Sequence, residues 1–390
     1  MSELNTIFEV NGICYFILTA NTARVIRKPD YSGDVIIPES VTYNDVKYSV
    51  TEIGVDAFAG CKGLKSVIIP NSVTEIGAYA FCDCGELTSV NIPDSVTEIG
   101  DSAFDGCFGL KSVMIPDSVT EIGDFAFDDC GNLSSIDVDS GNTKYCSYEG
   151  VVFSKDMKTL LLCPKGKQGS FEIPDSVTEI GEDAFYECDG LTSVSIPDSV
   201  TEIGRDAFYD CSGLTSIIIP NSVTEIGFEV FCGCSGLTSI RIPDSVTKIG
   251  GQAFSGCSGL TSVSISDSVT EIGDGAFWDC SGLTSISIPD SVTEIGAYAF
   301  HGSSRLKRIY IGANVSILGN DVFSYAFEGC KLIENIAIAA VVPPEADENN
   351  FDESVYAKAI LRVPEEAIES YKTTEPWSKF ATIKSLNSAL

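Results

Sequence analysis

The residues of this chain best suited to chemistry are fifteen cysteines, 56 acidic side chains and one histidine. An imidazole base needs a partner at a definite spacing, and His301 has none: no second histidine, thiol or carboxylate recurs beside it in a catalytic pattern. It occupies a variable turn position and reads as a surface residue. The motifs GxSxG, HExxH and GxxxxGK followed by Ser or Thr do not occur, and Gly166-Lys167 lacks the upstream glycine of a phosphate-binding loop. The expectation is a protein without catalytic residues or a cofactor.

Ten of the cysteines, Cys61, Cys84, Cys107, Cys130, Cys188, Cys211, Cys234, Cys257, Cys280 and Cys330, each follow a phenylalanine by three residues. A position tied to a phenylalanine in this way is a packing position, where a free thiol serves as a small apolar group. Strands stacked ~4.8 Å apart would bring such cysteines within disulfide range, although side chains in a ladder run parallel rather than towards each other. Cys82-Asp83-Cys84 and Cys232-Gly233-Cys234 are too sparse for a metal site, and no CxxC pair exists.

The carboxylates are ordered as well. Glu75, Glu98, Glu121, Glu179, Glu202, Glu225, Glu271 and Glu294 share one position, which Lys248 interrupts. Stacked like charges repel, so this edge could take up calcium. A row of solvated turn residues is the simpler reading, and the GGxGxD pattern of calcium-binding solenoids is missing. Two acids can run hydrolysis only as an isolated pair in a groove, and a ladder singles out no pair.

Behind these patterns lies a repeat. Leu191–Gly213, LTSVSIPDSVTEIGRDAFYDCSG, recurs from Leu214, Leu237, Leu260 and Leu283, and Leu64, Leu87, Leu110 and Leu133 mark the same 23-residue spacing upstream. Such a period means a solenoid whose coils pack only on their neighbours, so 390 residues need not divide into globular domains. In each unit Leu191, Val194 and Ile196 alternate into a core as a strand, and Pro197 ends the ladder because it lacks an N–H. Asp198-Ser199 turns the chain, and Val200 and Ile203 point inward. Gly204 supplies backbone freedom, and Ala207-Phe208 is expected on a short helical turn.

The expected organisation is an N-terminal β cap at 1–33, a solenoid at 34–338 and a C-terminal cap at 339–390. The N-terminal cap carries a hairpin turn at Asn11-Gly12. The first coil accommodates a loop at Tyr43-Asn44-Asp45. A β-hairpin is inserted at about 139–170, where 58 residues separate Leu133 from Leu191. Its lysines, Lys155, Lys158, Lys165 and Lys167, form the most basic patch, either solvated or a local docking site. Past Leu306, Phe323 and Phe327 imply a four-residue insertion. Strand Ile360 to Val363, a short helix at Glu365 to Lys372, and Trp377, Phe380 and Ile383 are expected to cover the last coil.

A net charge of -32 argues against nucleic acid and anionic membrane surfaces, both of which are held by clustered Lys and Arg. No segment has the ~18 to 20 apolar residues that span a bilayer. MSELNTIFEVNGICYF lacks the features of an export signal, so the expectation is either a cytoplasmic location or a leader that was removed or is not included in this sequence.

The recurring Ile-Pro-Asp-Ser-Val-Thr-Glu-Ile-Gly and Ala-Phe-x-x-Cys-x-x-Leu, as at Ile196 to Gly204 and Ala207 to Leu214, resemble the BspA-like (TpLRR-type) leucine-rich-repeat proteins. The resemblance implies a leucine-rich-repeat solenoid with a parallel sheet on the concave face and helical or 3-10 turns on the convex side. It also implies a cell-surface or extracellular adhesin that binds host matrix or other cell-surface proteins. For binding, the informative positions are those that the repeat leaves free. One outward residue per strand yields Ile68, Asn91, Met114, Asp137, Ile218, Arg241 and Tyr310 on an otherwise serine-rich face. Aromatics around the turns, Tyr79, Phe108, Tyr186, Tyr209, Trp278 and Tyr298, either pack on the neighbouring coil or add a second contact surface.

Overall fold

The computed structural model describes residues 6–28, 30–319 and 325–387, so Phe323 lies outside the described residues. The chain divides into two compact units, 1–167 and 168–390, with the boundary at the end of the inserted segment.

In the first unit Ile7–Val10 and Ile13–Ile17 form a hairpin, with Asn11 and Gly12 at φ 52° and 83° in the turn. Thr22–Val25 pairs antiparallel to the second of these strands and parallel to Val46–Ile53. Val46–Ile53 then starts a parallel ladder of two-residue strands, Glu75–Ile76, Glu98–Ile99 and Glu121–Ile122. The expected loop at Asn44-Asp45 is a second hairpin turn, both residues having positive φ, between Ser40–Tyr43 and Val46–Ile53. A separate wall is made by Gly33–Ile36, Leu64–Ile68 and Ser89–Asn91, with Ser112–Ile115 paired to Ser135–Val138.

The second unit repeats both walls. Gly169–Glu172, Leu191–Ser195 and Ser216–Ile217 pair in parallel, as do Ser239–Arg241 with Ser262–Ser264. Ser285–Ile288, Arg308–Ile311, Asn335–Ile338, Ile360–Val363 and Thr382–Ser385 complete this wall. Repeat geometry continues past 338. Glu345–Ala346 is another rung of the Glu-Ile ladder, and Phe351 stacks on Phe327 with centroids 5.3 Å apart. Trp377 and Phe380 are buried against Phe351, and the Trp377 indole N–H donates to the Pro344 carbonyl at 2.8 Å.

The third side of each coil is not helical. Within the repeats no helix is present among the described residues; helices occur only between Glu348 and Lys379. Two residues per coil are left-handed, such as Asp56 and Gly60 at φ 57° and 75°, and Asp206 and Asp210 at 53° and 49°. A left-handed residue breaks a right-handed helix, so the segment is instead a run of tight turns. Alternate N–H groups close those turns, Ala57 to Gly54 and Cys61 to Phe58. The others reach the next coil, Phe58 N–H to the Ala80 carbonyl at 2.7 Å and Gly60 N–H to that of Cys82 at 2.8 Å. Asp or Gly recurs two residues after the ladder phenylalanines from Phe58 to Phe327, because both tolerate this backbone region; Glu187, at φ 52°, is the exception. The glycine of Glu-Ile-Gly serves another purpose. Gly204 is not left-handed, but a Cβ there would lie 2.5 Å from the Glu182 nitrogen. Close approach of coils, rather than turning, demands it.

The core is a ladder of phenylalanines. Phe58, Phe81, Phe104 and Phe127 stack with centroids 5.0 to 5.4 Å apart in the first unit. Phe185 to Phe351 stack at 4.8 to 5.3 Å in the second. Burying each ring stabilises by about 1.5 to 3 kcal/mol, and each stacked pair adds about 0.5 to 1.5.

Candidate functional site

On the strand wall the inward Leu, Val and Ile are consumed by the core, so only the outward row can meet a partner. In the first unit Ile68 faces Ile36 on one side and Asn91 on the other, and Met114 faces Asp137. Ile36 was not among the expected positions, yet it is 66% exposed against 52% for Ile68, so the two form one apolar step. The alternation Val35-Ile36-Ile37 already carried that signal. Asn91 and Met114 are exposed, whereas Asp137 is half-buried. The inserted segment leans on its strand: Ile136 N–H donates to the Gly150 carbonyl, and Val138 N–H to Ser147 Oγ, both at 2.9 Å. Asp137 is therefore not an open-face residue.

That segment holds three antiparallel strands, Tyr145–Tyr148, Val151–Ser154 and Thr159–Leu162, rather than two. Its lysines are not a free basic patch. Lys165 is only 9% exposed at its side chain, with Nζ 2.7 Å from Asp128 Oδ1 and 3.2 Å from Asp129 Oδ1. Lys155 Nζ donates to the Ser140 carbonyl and Lys167 Nζ to that of Glu149.

In the second unit Ile218 is 80% exposed, Arg241 faces Ser264, and Tyr310 lies between Ser287 and Ala337. Arg241 and Tyr310 are both exposed, and no carboxylate among the described residues pairs with Arg241.

The turn aromatics divide. Tyr186 stacks on Tyr209 at 5.0 Å and Trp278 on Tyr298 at 5.9 Å across neighbouring coils, with Trp278 also exposed. Tyr79 and Phe108 stay exposed. His301 is half-buried rather than a free surface residue, edge-on to Trp278 and Tyr298 with Nε2 3.3 Å from Glu328 Oε2.

The cysteines do more than fill space. All fifteen are free. Cys84, Cys107, Cys130, Cys211, Cys234, Cys257, Cys280 and Cys330 each donate S–H to the carbonyl of a phenylalanine one coil back, at 3.0 to 3.2 Å. Ser303 occupies the same position and donates to the Phe277 carbonyl. Burial pushes the Cys84, Cys130 and Cys330 thiols up to about 12, so they remain protonated donors and poor nucleophiles. The sequence pattern marked these positions as buried, but not their acceptor.

The glutamate ladder is in register, Glu75 with Glu98 and Glu98 with Glu121. Burial and then the neighbouring glutamates hold Glu75 and Glu98 above the usual carboxylate range. Lys248 lies 3.0 Å from Glu271. Among the described residues the cluster whose oxygens come close enough to share an ion is elsewhere: Asp105, Asp128 and Asp129, within 4.8 Å of one another. Lys165 already supplies its cation.

The BspA type Leucine rich repeat region matches residues 38–154, 164–258 and 224–354, in 6 copies. A leucine rich cell surface protein from Faecalibacterium prausnitzii is 30% identical, covering 87% of this chain and 96% of its own, with a TM-score of 0.60. A leucine-rich repeat protein from Bacteroides ovatus is also 30% identical over 91% of this chain and 99% of its own, with a TM-score of 0.57. The pneumococcal vaccine antigen PcpA shares the fold at 20% identity, covering 99% of this chain and 100% of its own, with a TM-score of 0.58. No curated protein matches the chain.

Proposed function

The chain belongs to the BspA type leucine rich repeat family, and from that premise we propose that it is a non-catalytic adhesin or interaction scaffold at a cell surface. One observation carries this reading. Inward positions barely vary from coil to coil, while the outward row changes from Ile68 and Met114 to Ile218, Arg241 and Tyr310, each of them exposed. A fold that repeats its core and varies one face concentrates information there. The partner is a protein of the host matrix or of another cell, held by many weak contacts along the wall with apolar and aromatic points as anchors. The similar protein from Faecalibacterium prausnitzii, described as a cell surface protein, supports that location.

The test is binding to purified matrix proteins and to host epithelial cells, comparing the native chain with Arg241→Glu combined with Tyr310→Ala. Affinity should fall about tenfold or more with an unchanged circular dichroism spectrum. Unchanged affinity rules out the strand wall of the second unit. An acidic repeat that takes up calcium without a protein ligand is the competing reading. It requires heat and a raised Tm on calcium titration, and ours requires neither.

A further inference from the structure

One stretch of the second unit departs from the repeat. Where regular coils carry the proline that ends the strand, this coil has Ser266, whose hydroxyl donates to Asp244 Oδ1 at 2.8 Å. The strand beside it is less covered: Val263 and Ile265 are half-buried, whereas Ile240 and Ile242 before them and Ile286 and Ile288 after them are buried. On the outward side the row reads Arg241, Ser264, Ser287, Tyr310. Two small side chains lie between two large ones, and a groove of about 690 Å³ opens there. That volume falls within the range of sites that hold ligands.

The chemistry of the groove is one-sided. Its lining includes Asp267, Asp290 and the ring of Tyr310, and none of its lining residues is basic; Arg241, across the ladder from Ser264, stands at its edge outside the lining. Asp290 accepts a hydrogen bond from the Ala313 N–H, which fixes its direction, and Asp267 has no ion-pair partner among the described residues. An exposed aromatic face beside two carboxylates attracts a cation twice, through the ring quadrupole and through charge-assisted hydrogen bonds. The chain's charge of -32 adds a field of the same sign. We propose that this groove receives an arginine or lysine side chain from an extended segment of the partner protein, its head group over Tyr310 and against Asp267 and Asp290. The proposal rests on the strand-wall reading and specifies the chemistry of the partner. A neutral sugar could use the ring and Asn314, but would leave both carboxylates unmatched.

The test uses a labelled Gly/Ser peptide carrying two arginines, and a twin carrying citrulline, which keeps the shape and removes the charge. By fluorescence anisotropy the arginine peptide should bind at least about tenfold tighter than its twin. Asp267→Asn and Tyr310→Ala should each weaken it about tenfold. Asp94→Asn, the same change of charge on an exposed turn of the other unit, should cost less than about twofold. Three results overturn the proposal: equal losses for Asp267→Asn and Asp94→Asn, equal binding of the citrulline twin, or displacement of the peptide by a neutral oligosaccharide such as maltohexaose. If the peptide fails while Arg241→Glu with Tyr310→Ala still abolishes binding to matrix protein, the groove assignment falls and the strand-wall reading stands. If that double variant leaves matrix binding intact, the strand-wall reading falls with it.

Discussion

Two acidic corners of this molecule differ in how their charge is answered. In the first unit Asp105, Asp128 and Asp129 crowd together at the turns, and Lys165 reaches back from the inserted segment to neutralise them. In the second unit Asp267 and Asp290 border a groove that contains no basic side chain. The first corner is structural: crowded carboxylates that are partly desolvated destabilise the fold unless a cation accompanies them, and the chain provides one. At the second corner no basic side chain among the described residues pairs with the carboxylates, and the Asp290 carboxylate takes only the Ala313 N–H, which leaves the charge available to a partner. Acidity by itself thus separates nothing, and the position of the counter-charge separates the two.

The largest effect should come from removing the internal cation. Lys165→Met should lower the stability of the first unit by about 3 kcal/mol, because it strands two or three carboxylates in a half-buried corner. Urea unfolding measures this, and adding Asp105→Asn should recover part of the loss. A change below about 0.5 kcal/mol would make the Lys165 corner no different from the groove.

A smaller effect should appear with pH. Burial, followed by Asp128 and Asp129, raises Asp105, and burial with neighbouring glutamates raises Glu75 and Glu98. A carboxyl whose pKa is raised by folding binds its proton more tightly in the folded state. Stability should therefore rise as pH falls from about 7 towards about 5, until acids with ordinary or lowered values begin to protonate. A thermal scan across that range checks the sign, and Asp105→Asn should flatten the slope. The smallest effect belongs to Lys248. Restoring the repeat with Lys248→Glu removes an exposed pair with Glu271, and should cost only a few tenths of a kcal/mol, vanishing in high salt.

Much of the fold was legible in the sequence, for a physical reason. Every coil meets a near-copy of itself, so Leu191, Val194, Phe208 and Cys211 reveal their partners by recurring at one spacing. The helical turn expected at Ala207-Phe208 was misread because an Asp at the left-handed positions looks like any polar turn residue. Its meaning appears only when alternate N–H groups are followed into the next coil. Gly204 was misread in the same way, since freedom of φ and lack of room both select glycine. The candidate site was legible only as a list. Alternation exposed Ile68, Met114, Ile218 and Tyr310, but not the inserted strands against Asp137, nor the groove beside Ser266.

The sequence by itself determined the coil, its core and the identity of the outward row, because those depend on contacts between equivalent positions one period apart. Tertiary structure alone decided what lies between unequal positions. It brings Lys165 to Asp128, directs each thiol to a phenylalanine carbonyl, and leaves two serines between Arg241 and Tyr310. Such pairings obey no period. They depend on distances across coils, and only the folded backbone sets those.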